Sequence, residues 1–217
     1  FSNNMKINEN ILEACHLNGI RRGIFCLSSC IYPENPSKFP MDEEMVNESP
    51  PHPSNQGYAY AKRMMGIQCR RYNETYGYNY ICLIPVNLYG PYDNFNLRES
   101  HFIPGIMHRW YLQKEKNDKI CKLHNSDKEK YVLYGTGKPL RQFVYAKDFV
   151  RLIFMVLFGD IYTENKPLIC CNEETTIKDM ALEVAKVMGI TEYEIEHDLK
   201  KSDGCMRKTV TNMKLQY

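Results

Sequence analysis

Tyr80-Ile81-Cys82-Leu83-Ile84-Pro85 is an unbroken apolar run closed by a proline. An apolar run of this length, without alternation, fits a strand buried on both faces, as in a parallel sheet. Immediately upstream, Gly77 stops a helical pattern that reaches back to about Asn55, with Ser54 or Asn55 as its cap. Before that helix, residues 32–55 are rich in Pro, Asn and Ser, and Pro50, Pro51 and Pro53 exclude regular structure there. Further out, Gly23-Ile24-Phe25-Cys26-Leu27 is a second buried strand, ending in Ser28-Ser29-Cys30. Met5, Ile7, Ile11, Leu12 and Cys15 recur at helical spacing and stop at Asn18-Gly19. Downstream, Val86-Asn87-Leu88-Tyr89-Gly90-Pro91 is a strand end turning into a loop. Helix, strand, helix, strand predicts an α/β fold with a parallel sheet and crossover helices.

The later part of the chain changes character. Residues 101–111 read as a helix, and the charged stretches at 113–119 and 125–130, mixed in sign, read as a solvated loop or insertion. Tyr131-Val132-Leu133-Tyr134 is a short strand ending at Gly135-Thr136-Gly137. An amphipathic helix follows Gln142-Phe143-Val144-Tyr145 and runs to about Phe158; Leu168-Ile169-Cys170-Cys171 is strand-like. Ile177 to Met188 is a helix capped by Thr175 or Thr176 and stopped at Gly189. The expected organisation is residues 1–95 as one region and 96–217 as a smaller α+β region, with a return to the first sheet around 142–175.

The net charge of +2, from 28 basic and 26 acidic residues, argues against a nucleic-acid partner. No apolar run is long enough to span a membrane. Nine cysteines without a CxxC pair, with neither Cys26/Cys30 nor Cys170-Cys171 at zinc spacing, read as free thiols and predict no metal and a cytoplasmic location.

Chemistry enters at Gly57-Tyr58-Ala59-Tyr60-Ala61-Lys62-Arg63-Met64. Tyr58 and Lys62, four apart, leave the same helix face. A phenol titrates near 10, and lowering it to about 7 takes roughly 4 kcal/mol, much of which one close, partly desolvated ammonium supplies. Such a pair moves protons at a carbonyl or alcohol. The same spacing on a solvated helix face is common, so the neighbours decide between the two readings. Ser28, Cys30 and Asn87 all fall at strand ends, where open parallel sheets bind ligands.

Ser28-Ser29-Cys30-Ile31-Tyr32-Pro33, the Tyr58–Lys62 segment, and Pro85-Val86-Asn87-Leu88-Tyr89-Gly90-Pro91-Tyr92-Asp93-Asn94-Phe95 together resemble the GDP-L-fucose synthases. These are NADPH-dependent 3,5-epimerase/4-reductases of the extended short-chain dehydrogenases, acting on GDP-4-keto-6-deoxy-D-mannose. The similarity continues through Ser100-His101-Phe102-Ile103-Pro104-Gly105, Tyr134–Pro139 with Arg141-Gln142-Phe143, and Lys201-Ser202-Asp203-Gly204. It implies the second part of a Rossmann-like, doubly wound parallel sheet, without the Gly-rich N-terminal βαβ unit of the family.

The resemblance further implies Ser28, Cys30, Tyr58, Lys62 and His101 as catalytic. Cys30 and His101 would be the epimerisation acid and base, Tyr58 the proton donor to the C4 oxygen, Ser28 a hydrogen-bond partner of that oxygen, and Lys62 the group lowering the tyrosine. NADP(H) would touch Leu27, Ser28, Tyr58, Lys62, Pro85, Val86, Asn87, Leu88 and His101. The GDP-sugar would touch Asn87, Arg109, Tyr134, Arg141, Asp203 and Lys208. A homodimer through the helices near 3–18 and 55–76 is also implied. The bland alternatives are a packed thiol at Cys30, a satisfied loop histidine at His101, a Ser28 hydroxyl bonding its own backbone, and plain core at Tyr134. Another nucleotide-sugar epimerase, dehydratase or reductase, or a non-catalytic fragment, are the competing functions.

Overall fold

A computed structural model describes residues 1–124, 128–159 and 165–215. In chain order the elements are α1 (Ser2–Leu17), β1 (Arg22–Cys26), α2 (Gln56–Tyr76), β2 (Asn79–Pro85), β3 (Asn87–Tyr89), α3 (Phe102–His124), β4 (Tyr131–Tyr134), β5 (Leu140–Tyr145), α4 (Ala146–Phe158), β6 (Leu168–Cys170), β7 (Glu174–Thr176), α5 (Ile177–Met188) and β8 (Ile195–Asp198). They form two compact units.

The first unit takes Phe1–Leu88, Gln142–Glu173 and the chain from Lys208. Its centre is a parallel sheet in the order β1-β2-β6. β1 pairs with β2 from Arg22 opposite Asn79 to Cys26 opposite Leu83, and β2 pairs with β6 from Leu83 opposite Leu168 to Pro85 opposite Cys170. The apolar run opens this core: Tyr80 to Pro85 are all buried, and Ile81, Leu83 and Ile84 are completely so. Each such side chain contributes about 2 kcal/mol of transfer free energy. α2 packs on β1 and β2, α1 on α2, and α4 on β1. Asn8 of α1 donates to the Ala61 carbonyl at 2.8 Å, fixing the two helices at the turn that carries Lys62. α2 ends at Gly77, whose φ of +66° lies in the left-handed region that favours glycine. Buried Asn73 then receives the Tyr80 N–H at 2.7 Å and donates to the Tyr80 carbonyl at 2.9 Å, so the helix end sets the start of β2.

The second unit takes Tyr89–Arg141 and Glu174–Arg207. β4 and β8 pair in parallel, from Tyr131 opposite Ile195 to Tyr134 opposite Asp198. α3 packs against β4 and α5. Trp110 is fully buried there and donates its indole N–H to the Val132 carbonyl at 3.1 Å. Thr176 is the residue that caps α5, accepting the Asp179 N–H at 2.9 Å, and Gly189 ends the helix.

The charged stretch differs from its reading as a loop. α3 continues through Gln113–Lys119 to His124. Gln, Lys and Glu are good helix formers, but the apolar stripe Ile103, Ile106, Trp110 fades beyond Trp110, which hides the helix from a periodicity argument. Its inward position is polar: buried Asn117 donates to the Glu129 carbonyl at 2.9 Å and accepts the Glu129 N–H at 3.0 Å. Residues 125–127 of that stretch lie outside the described residues. All nine cysteines are free thiols. No helix among the described residues is long and apolar enough to cross a membrane.

Candidate active site

In the first unit the end of β1 and one face of α2 meet. The Leu27 N–H extends the β1–β2 pairing to the Leu83 carbonyl at 2.7 Å, which delivers Ser28 just past the sheet edge. Ser28 caps a short turn by accepting the Cys30 N–H at 3.2 Å, so the bland reading of this hydroxyl is present. The same hydroxyl is also hydrogen-bonded to the Tyr58 phenol. Cys30 is half-buried and lies close enough for its charge to be felt by Tyr58. Tyr58, Ser28 and Cys30 are therefore brought together.

The electrostatics differ from the expectation built on helical spacing. Burial raises the Tyr58 phenol above its ordinary value; the Ser28 hydrogen bond pulls it down, and charge on Cys30 or Cys26 adds to the rise. Lys62 Nζ sits 5.9 Å from the Tyr58 ring centroid and donates to the Cys26 carbonyl at 2.8 Å. The ammonium is anchored on the last residue of β1, and burial leaves the phenol raised and not lowered here. Cys26 itself is pushed up by burial, with Lys62 pulling it down.

The remaining candidates of this unit line up along the strand ends. Leu27, Pro85 and Val86 are buried, and Leu88 packs against the core. Asn87 is exposed but its amide donates to the Gln142 carbonyl at 2.7 Å. Buried Gln142 in turn donates to Asn172 and Val210 carbonyls and accepts the Val210 N–H at 2.8 Å, knitting three passes of the chain under Asn87. Lys208 also belongs to this unit, half-buried.

As to a dinucleotide, the residues present are a phenol, a hydroxyl and an ammonium with two donors left over, grouped at the carboxyl end of a parallel sheet. That donor set fits a nicotinamide ribose and carboxamide.

The second unit has a pocket of about 300 Å³ lined by His101, Arg109, Tyr134, Arg141, Ser202 and Asp203 among others. Arg109 lies over the Tyr134 ring at 4.2 Å, and its Nε is buried with no partner among the described residues. Burial holds both the Arg109 and Arg141 guanidiniums below their usual values. An anion entering here meets two half-buried cations, whose partial loss of water strengthens its binding. Tyr134 is 42% exposed, so the core reading of that ring does not hold. Sequence reasoning missed Lys201, whose Nζ stands 5.4 Å over the same ring; its place two residues before Asp203 was the only signal. It also missed the bond between Thr136 and Asp203, 67 residues apart.

The pattern of the NAD dependent epimerase/dehydratase family matches residues 1–160. The chain is 39% identical to the GDP-L-fucose synthase of Dictyostelium discoideum, covering 100% of this chain and 64% of that protein. It is 41% identical to a probable GDP-L-fucose synthase of Drosophila melanogaster, covering 99% of this chain and 65% of the relative. Among solved structures, a GDP-L-fucose synthetase from Naegleria fowleri bound to NADP superposes with a TM-score of 0.85 at 35% identity, over 98% of this chain and 64% of that one. The chain thus spans about 64% of the length of the curated relatives it matches.

Proposed function

The chain belongs to the NAD dependent epimerase/dehydratase family, and on that footing we propose that it is the catalytic and sugar-nucleotide portion of a GDP-L-fucose synthase. The reaction is 3,5-epimerisation followed by NADPH-dependent 4-reduction of GDP-4-keto-6-deoxy-D-mannose. The observation that supports this best is the grouping of Tyr58, Ser28 and Cys30, with Lys62 anchored beside them, at the end of a parallel sheet.

The substrate's C4 ketone acidifies the hydrogens at C3 and C5. Cys30 of the first unit and His101 of the second are the proposed acid and base of the epimerisation. When bound, NADPH supplies hydride chemistry at C4. The Tyr58 phenol holds the proton destined for the C4 oxygen, and its raised value keeps it protonated until that oxygen becomes basic. Ser28 donates to the same oxygen, stabilising charge that develops there. Lys62 stands beside the phenolate left behind. Leu27, Pro85, Val86 and Leu88 form the apolar wall that excludes water. In the second unit, Arg109 and Arg141 are the diphosphate ligands and Tyr134 faces the nucleotide. The domain roles follow the two units and not the expected 1–95 and 96–217 division: the first, which also takes the chain from Lys208, serves the cofactor, and the second, which starts at Tyr89, mainly serves the substrate. A cytoplasmic homodimer through α1 and α2 completes the proposal; both helices expose apolar side chains, Ile7, Ile11, Met64 and Ile67.

The full-length protein should oxidise NADPH when given GDP-4-keto-6-deoxy-D-mannose. Absence of NADPH consumption with that substrate refutes the proposal. Cys30→Ser should slow epimerisation, read as deuterium uptake at C3 and C5, more than reduction. Light scattering at micromolar concentration tests the dimer, and a monomer would count against it.

A further inference from the structure

Both carboxylate oxygens of Asp203 have partners within its own unit. Oδ1 accepts the Thr136 backbone N–H at 2.7 Å, and Oδ2 accepts the Thr136 hydroxyl at 2.7 Å. The Thr136 oxygen in turn accepts the Lys138 N–H at 3.2 Å. The glycines on either side of Thr136 sit at φ of +76° and +73°, in the left-handed region. A Cβ on Gly135 would land on Asp203 Oδ1, so the turn is shaped to admit this carboxylate. Tyr134 immediately precedes the turn, and Lys201, two residues before Asp203, reaches over its ring. A carboxylate aimed at an anionic diphosphate would repel it; one already holding an N–H and an O–H has its charge dispersed.

We infer that Asp203 is a positioning residue. It acts through Thr136 to hold the Gly135–Gly137 turn, and with it Tyr134 and Lys201, in the shape that admits a nucleoside diphosphate. This rests on the nucleotide reading of the pocket given above, and it replaces the expectation that Asp203 touches the substrate.

The test is calorimetric titration of the full chain with GDP. Thr136→Ser keeps the hydroxyl and should bind within about twofold of the native chain. Thr136→Val and Asp203→Ala should each weaken binding about tenfold, and the double variant should be no weaker than Asp203→Ala alone. Additive losses, about a hundredfold in the double variant, overturn the inference, because they mean Asp203 meets the ligand independently of Thr136. Asp203→Asn, which keeps one acceptor, should fall between the native chain and Asp203→Ala. A second measurement needs no ligand: hydrogen exchange at the Thr136 amide should accelerate at least about tenfold in Asp203→Ala. Unchanged exchange overturns the inference. Failure of the native chain to bind GDP defeats the nucleotide reading, while the exchange comparison still decides whether Asp203 holds the turn.

Discussion

In the first unit, Tyr58 and Lys62 leave one helix a turn apart and meet Ser28 and the Cys26 carbonyl at the end of the adjoining strand. In the second unit, Arg109, Tyr134, Arg141 and Asp203 arrive from a helix, two strands and a loop, joined by contacts such as the one between Thr136 and Asp203. In the first arrangement, helical geometry fixes the spacing of the pair, and one neighbouring strand supplies its partners. The other exists only when distant segments pack. Chemistry in the first should therefore be separable from folding, whereas binding in the second should be coupled to it.

The sharpest way to break that contrast is Tyr58→Phe in the full-length protein. Reduction should fall about a thousandfold, as expected for loss of a positioned proton donor, while solvent deuterium still enters at C3 or C5 and the unfolding free energy stays within about 0.5 kcal/mol of the native value. Unchanged NADPH oxidation would remove Tyr58 from its role. Trp110→Ala is the counterpart in the second unit. It should destabilise by about 3–5 kcal/mol in urea unfolding and weaken GDP binding with it; loss of stability with full affinity would break the proposed coupling. Arg109→Met should leave stability almost unchanged and weaken GDP binding about tenfold, because it removes one half-buried cation over Tyr134. Equal affinity would mean that the pocket does not read the diphosphate.

The smallest effect concerns pH and the first unit's core. Burial pushes Cys171 up to about 11 and Cys170 up to about 12. A thiol raised in the folded state stabilises fully below its ordinary value of about 8.5–9. That contribution is lost as pH rises toward the raised values. The unfolding free energy in urea titrations should thus fall between about pH 8.5 and 10.5, by about 1 kcal/mol per thiol at about pH 10. Cys171→Ala should flatten the slope, and an unaltered slope would exclude this thiol as its source.

Legibility in the sequence followed the same division. β2 and α2 announced themselves through an apolar run and a glycine stop, and both are where they were expected. The far half of α3 did not, because its inward residue is a hydrogen-bonded asparagine, and a polar residue satisfied in the core looks like surface to any hydrophobicity argument. The Tyr58–Lys62 pair was visible from spacing, but the Lys62 partner was not: a backbone carbonyl 36 residues away has no sequence signature. The raised phenol was not legible either, because its cause is burial, which exists only once the chain has packed.

What the sequence determined by itself is the parallel α/β class, the end of β1 just before Ser28, and the residue types available for proton transfer; Cys30 sits in a short turn beyond that strand and Asn87 opens β3. The class and the strand end follow from periodicity and chain stops, which act over a few residues. Tertiary structure alone decided how the charges stand: Lys62 on the Cys26 carbonyl, Arg109 half-buried over Tyr134, and Asp203 holding Thr136. Burial and hydrogen bonds between distant segments set those energies, and neither exists until the chain has packed.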